Sequence, residues 1–297
     1  MPSPIEIYIL GSGSAIPTLQ RKHPAVALRY EGECLLFDCG ECTQLGLQKA
    51  GISPMKIKRI FITHWHADHF AGLLPLIETL HMLGRKKALY IYGPEARRFV
   101  DYILELSYLS FGFKIKAKDV SIEEKERIVN EKKYYVYSFP VRHSVPCVAY
   151  IFQEKAHWKM NPQKLTELKI PREKIRKLKA RKKINLNGKE IRLAEVAEKI
   201  EGRKIIYSGD TLPVKELFEE AKNAVLIHEA TFKYKRDTGF YHSSIEEVCE
   251  LAKKYGVRKL ILMHFSRRYK KHASLEKFAK RLFESIIVAK DGMKIVV

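Results

Sequence analysis

No apolar run in this sequence approaches the roughly 20 residues that a membrane-spanning helix needs. The opening Met-Pro-Ser-Pro lacks a basic n-region followed by an apolar stretch, so no secretory signal is read. Both absences point to a cytoplasmic protein with no membrane partner. Cysteine is scarce: five residues (Cys34, Cys39, Cys42, Cys147, Cys249), an odd number in a chain of 297, argue against a disulfide framework. Cys39 and Cys42 form a C-x-x-C, and without a second such pair they read as small buried thiols at a strand-to-helix junction. Acidic residues are also short. Asp and Glu number 34 against 55 Lys and Arg, which leaves a net charge of +21. A fold does not require that excess, and it points to a polyanionic partner such as nucleic acid or an anionic membrane surface, nucleic acid being the preferred reading. A hyperthermophile-like surface would explain the 30% charged residues but not the imbalance of sign.

The chain alternates short apolar runs with helical stretches. Strands are expected at 5–10, 25–30, 34–38, 59–63 and 89–92, with helices near 44–50, 70–82 and 95–106. The second half repeats the style, with strands at 134–139, 148–152, 204–208, 224–228 and 259–263. The last residues read as a hairpin turning at Asp291-Gly292. Two packed sheets with helices outside, an α/β sandwich of αββα layers, is the expected architecture. Residues 153–183 break the pattern. They hold 12 Lys or Arg and three Glu, no glycine, and enough apolar residues to form a small helical excursion.

His64-Trp65-His66-Ala67-Asp68-His69 places three of the chain's 11 histidines directly after a buried strand. Imidazoles with a carboxylate are the donors that zinc prefers. Alternation puts His64, His66 and Asp68 on one side. His143, Asp210 and His264 each follow a further apolar strand, and a two-metal site needs ligands placed in that way.

The order H-x-H-x-D-H, a distant His, Ser-Gly-Asp-Thr and a His after the last core strand resembles the metallo-β-lactamase superfamily. Within it the chain resembles the short form of the ribonuclease Z family, the tRNA 3′-processing endonucleases. Phe37-Asp38-Cys39-Gly40-Glu41-Cys42-Thr43-Gln44, His228-Glu229-Ala230-Thr231 followed by His242-Ser243-Ser244, and His264-Phe265-Ser266-Arg267-Arg268-Tyr269 carry that narrower likeness. The resemblance implies a metallo-β-lactamase domain over 1–152 and 184–297, with 153–183 as a projecting basic arm that binds tRNA. It implies two zinc ions per chain, with Mn2+ or Fe2+ as possible substitutes. One would lie at His64, His66 and His143, and the other at Asp68, His69 and His264, with Asp210 bridging. Asp68 would also orient or deprotonate the attacking water. His242, steadied by Glu229, would protonate the leaving 3′ oxygen. Ser266, Arg268 and Tyr269, together with Lys174, Arg176, Lys177 and Arg181 of the arm, would contact substrate. Precursor tRNA is the implied partner and a homodimer the implied assembly. A hydrolase of small phosphodiesters or other esters would share the metal site but would have no need of a basic arm. Two departures stand out: Ile170-Pro171-Arg172-Glu173 replaces the family's Gly-Pro arm tip, and Arg21-Lys22 replaces a common Arg-Asn.

Overall fold

The computed structural model describes residues 3–186, 188–237 and 241–297. It divides into two compact units. The first takes the chain up to Asn130, Val136–Phe152 and Lys204–Val297; the second takes Glu131–Tyr135 and Gln153–Arg203.

Two seven-stranded sheets build the first unit. One runs in the order Lys294–Val296, Glu6–Gly11, Ala25–Tyr30, Glu33–Phe37, Ile57–Phe61, Leu89–Gly93, Ile115–Asp119. Its first four strands pair antiparallel and the rest parallel. The other runs Ile286–Val288, Lys259–Met263, Val225–Glu229, Lys204–Tyr207, Val148–Glu154, Tyr134–Pro140, Glu126–Asn130. Aromatic rings fill the space between the sheets. Phe61 lies 5.2 Å from Tyr150 and Phe37 lies 5.9 Å from Tyr207, ring centre to ring centre. The Tyr150 hydroxyl donates to the Ile62 carbonyl at 2.7 Å.

Helices cover both outer faces because their apolar residues recur every three or four positions. Leu73, Leu76, Ile77 and Leu80 of the helix Leu73–Met82 pack on the first sheet. Ile245, Val248, Cys249 and Ala252 of the helix Ile245–Lys254 pack on the second. That helix starts at a capping box, in which Ser244 and Glu247 satisfy each other's backbone N–H groups. The expected αββα sandwich is present.

Several local expectations are corrected. The final residues form no hairpin: Ile286–Val288 pairs with Lys259–Met263 in one sheet, while Lys294–Val296 pairs with Glu6–Gly11 in the other. The chain therefore closes both sheets with its last turn. Cys39 is buried as expected, but Cys42 is exposed, with a left-handed backbone (φ 65°) before the helix Thr43–Lys49. All five cysteines are free thiols.

The second unit has its own small core, in which Ile170, Leu178, Ile191, Leu193 and Val196 are buried. The basic run ends near residue 183, but the compact unit continues to Arg203. The reason is that His157–Met160 pairs with Ala197–Ile200, and Lys183–Leu186 with Lys189–Arg192. Helix Arg172–Arg181 turns Leu178 inward and leaves Arg176, Lys177 and Arg181 exposed, with Lys174 half-buried. Glu173 in its first turn and Lys179 and Arg181 in its last complement the helix dipole.

Candidate metal centre

The site is built at strand ends. Strand Ile57–Phe61 delivers His64 and His66, and the chain then turns into the short helix Ala67–Phe70, which carries Asp68 and His69. Extended alternation therefore stops at His66, and Asp68 joins His69 rather than His64 and His66. Asp210 follows Lys204–Tyr207, Glu229 ends Val225–Glu229, and His264 follows Lys259–Met263 in a left-handed conformation (φ 60°). A non-glycine residue held there stores roughly 1–3 kcal/mol of strain, a feature typical of functional sites. The glycine of Ser-Gly-Asp is obligatory: Gly209 has φ 62°, and a Cβ there would lie 2.7 Å from the Thr63 Cβ.

Seven side chains converge as two donor groups. His64, His66 and His143 form one; Asp68, His69, Asp210 and His264 form the other. His64 Nε2 and His143 Nε2 lie 3.0 and 3.2 Å from His66 Nδ1. Asp210 Oδ2 lies 3.3 Å from His69 Nε2, 3.2 Å from His264 Nε2 and 3.9 Å from His64 Nε2, between the two groups. Asp68 Oδ2 is 3.5 Å from both His69 Nε2 and His264 Nε2.

The outward ring nitrogens explain which atoms face inward. His69 Nδ1 donates to Asp38 Oδ2 at 2.7 Å, His264 Nδ1 to Thr231 Oγ1 at 2.8 Å and His143 Nδ1 to the Tyr241 carbonyl at 3.2 Å. His64 Nδ1 meets Thr63 Oγ1 at 3.1 Å. Each Nε2 thereby faces into the cluster. His69 Nε2, His264 Nε2 and Asp210 Oδ1 are buried with no hydrogen-bond partner. Buried polar atoms without partners are costly, and imidazole nitrogens and carboxylates gathered this closely suit a bound cation. Nitrogens about 2.0–2.1 Å from a tetrahedral zinc stand about 3.3 Å apart, close to the spacings found. The donor set fits transition-metal binding in both groups.

Burial would lower the pKa of His69, but Asp210 and Asp38 outweigh it and hold it well above the usual range, so without metal this ring carries a proton that a bound cation would displace. Burial lowers the pKa of His64, and the neighbouring imidazoles lower it further, so it is neutral, as a ligand must be. Burial would raise Asp210, but His264 and His69 more than reverse it and hold the carboxyl well below its usual range. Asp68 is likewise depressed, its burial outweighed by His264 and His69.

Beside the second group stands His242. Its Nδ1 donates to Glu229 Oε1 at 3.0 Å. Burial lowers this imidazole's pKa, but the Glu229 hydrogen bond and charge outweigh it and raise the value to about 9. Glu229 is itself fixed by the N–H groups of Thr231 and Ser243, both at 2.8 Å. Among the residues expected to contact substrate, Arg268 is exposed with its guanidinium 5.2 Å from the Phe232 ring, and that ring lies 6.3 Å from His242. Ser266 is half-buried, and the Tyr269 hydroxyl accepts from the Lys233 N–H at 2.9 Å. Lys174, Arg176, Lys177 and Arg181 lie in the second unit.

The sequence reading assigned no role to Asp38. It is fully buried and accepts from the Thr63 N–H at 2.8 Å, the Tyr207 hydroxyl at 2.7 Å and His69 Nδ1. Its place in Phe-Asp-Cys-Gly, directly after a buried strand, was the available signal. Groups that orient ligands in this way are typically worth 10–100-fold in metal affinity. Asp38→Asn is therefore expected to weaken metal binding by about that factor. Competition against a chromogenic chelator measures it, and an unchanged affinity would show that His69 needs no such support.

A family model described as anti-Pycsar protein Apyc1 matches residues 5–116. Ribonuclease Z of Pyrococcus horikoshii is 42% identical over 271 residues, covering 89% of this chain and 87% of the relative. Among solved structures, the short form of human tRNase Z superposes with a TM-score of 0.70 at 26% identity and covers 98% of each chain. The metallo-β-lactamase fold protein YhfI of Bacillus subtilis gives the same TM-score at 20% identity, covering 99% of this chain and 100% of that one, a likeness of fold. With identity at this level over nearly nine-tenths of both sequences, the chain belongs to the ribonuclease Z family.

Proposed function

We propose that this protein is a cytoplasmic, homodimeric endoribonuclease that removes the 3′ trailer from precursor tRNA with two zinc ions per chain, Mn2+ or Fe2+ being able to substitute. The observation that carries the reading is the placement of two metal-donor groups beside the Glu229–His242 pair, in a chain whose relatives bear the name ribonuclease Z. When bound, such a pair of ions supplies Lewis-acid stabilisation of the charge that builds on an attacked phosphate.

The chain's own groups do the rest. Asp68, held ionised, would accept a hydrogen bond from the attacking water and take its proton as the oxygen bonds to phosphorus. As the water oxygen bonds to phosphorus, the bond from phosphorus to the 3′ oxygen breaks. His242 is held through Nδ1 by Glu229, so its Nε2 carries the proton to that leaving oxygen, and the tRNA keeps a 3′-hydroxyl. Arg268 offers a forked donor to a phosphate. The test is incubation of the zinc-loaded protein with a precursor carrying a 3′ trailer. A single cut at the junction of tRNA body and trailer is expected, and no cut would overturn the reading.

Lys174, Arg176, Lys177 and Arg181 serve, in this proposal, to hold the tRNA body by its phosphates. His157 and Ile200 are register partners, so residues 158–199 can be replaced by a short Gly-Ser turn without cutting a strand of either large sheet. This deletion is expected to weaken precursor binding and to flatten the dependence of log Kd on log salt by about 3, the slope carried by four phosphate contacts. Hydrolysis of a small phosphodiester should persist. Unchanged tRNA affinity would refute a binding role for the second unit.

A further inference from the structure

A cleft of about 790 Å3 in the first unit is lined by Arg21, Lys22, Lys49, Arg267, Lys270 and Lys290. Among the described residues none of the six forms an ion pair. The one carboxylate in the wall, Asp291, is already engaged. Its Oδ1 accepts from the Ser12 N–H and hydroxyl at 2.9 and 2.8 Å, and its Oδ2 from the Lys22 N–H at 2.7 Å. The positive potential registers on His272 in the same wall: burial, then Lys290 and Arg21, hold its pKa below the usual value.

Two segments of the cleft wall continue along the chain toward the metal centre. One wall follows directly from the ligand His264, through Arg267, Tyr269 and Lys270. The other, residues 18–22, runs on into His23, and a Cβ placed on Gly40 would lie 2.5 Å from the His23 Cβ and 2.3 Å from the Asp68 carbonyl oxygen. Arg21 ties the walls together: it is 8% exposed, its Nη1 donates to the Tyr269 carbonyl at 3.0 Å, and its guanidinium sits 5.1 Å from the Phe265 ring. The base of the cleft is thus built from packed groups, and its rim from free lysines.

We propose that this cleft binds the single-stranded trailer as it runs on from the scissile phosphate. The inference rests on the reading of the site as one that processes tRNA 3′ ends. Lysines free of ion pairs on the rim are complementary to successive phosphodiesters. Tyr269 and His272, both half-buried, line the same cleft, and cations interleaved with rings are how single strands are held without sequence preference. A walled cavity of this volume is of small-ligand size and suits a strand rather than a duplex.

Two precursors sharing one tRNA body test it, one with a single-nucleotide trailer and one with a trailer of about 12 nucleotides, within the usual span of a single-strand site. The unaltered, zinc-loaded protein is expected to bind the longer precursor at least about tenfold more tightly, as several added phosphate contacts would give. Combining Lys22→Ala, Lys270→Ala and Lys290→Ala should bring that ratio close to one. It should also flatten the salt dependence for the longer precursor by about 2, the slope of three single-strand phosphate contacts. A ratio of one in the unaltered protein overturns the proposal. So does equal weakening of both precursors by the triple variant, which would assign these lysines to the tRNA body. If the unaltered protein cuts neither precursor, the functional reading itself has failed. If it cuts both and only the ratio fails to change, the cleft assignment alone falls.

Discussion

Asp210→Ala is expected to abolish cleavage, by a factor of at least about 10³, and to take metal out of the protein. Asp210 Oδ2 reaches His69 and His264 at 3.3 and 3.2 Å and His64 at 3.9 Å, so one oxygen serves both donor groups. Its removal leaves five imidazoles and Asp68 around a site that has lost its central charge. Metal ions stabilise transition-state charge by several kcal/mol, and each 1.36 kcal/mol is tenfold in rate, which sets the scale. Elemental analysis of the unaltered protein should give about two transition-metal ions per chain, and the variant clearly fewer. A variant that cuts precursor tRNA at the normal rate with its metal gone would end the two-metal reading. Fold loss is not the expected cause. The strands on either side are held by Val148–Glu154, Lys204–Tyr207 and Val225–Glu229 in the sheet interior, independently of this carboxylate.

The candidate ligands could be read from the sequence because the histidine cluster, His143, Asp210 and His264 each follow an apolar strand, and strand ends in layered α/β folds share one edge. Their division into two groups depended on a detail that periodicity hides: the chain leaves the extended form at His66 and winds into a helical turn, which carries Asp68 to His69. Asp38, Thr63 and Thr231 were not legible as supports. A buried Asp beside a strand end looks like any turn residue until His69, Tyr207 and Thr63 are seen to converge on it from separate elements. The strands Ile115–Asp119 and Glu126–Asn130 were missed for a different reason. Both are sheet edges, rich in Lys, Glu, Arg and Asp and largely exposed, so they carry little of the apolar signal that marks an interior strand. The second unit's end was misplaced because charge, not pairing, defined it. The basic run stops near 183, but Ala197–Ile200 is needed to complete the sheet begun at His157.

His242→Ala is the substitution that separates the chemistry from the metal. It is expected to lower turnover by about 10²–10⁴-fold, the usual scale of a lost general acid, with metal content and precursor affinity nearly intact. The expectation comes from position. His242 is not a member of either group formed by the seven expected ligands, yet its ring lies 5.2 Å from that of His143 and 5.4 Å from that of His264. Glu229 takes its Nδ1 at 3.0 Å, so the opposite nitrogen is the one able to deliver a proton. A general acid matters in proportion to the basicity of the leaving oxygen. A nitrophenyl phosphodiester, whose leaving group is stable as an anion, should therefore lose much less than precursor tRNA does. Glu229→Gln should move in the same direction by a smaller factor, because the imidazole keeps its place and loses only the carboxylate that favours its charged form. If His242→Ala slows both substrates equally, the residue holds the site together rather than protonating the leaving group. If it also releases metal, then His242 belongs with Glu229 and His264 to a third donor group that these residues are close enough to form. The ratio of losses on the two substrates, measured on protein of known metal content, decides among the three.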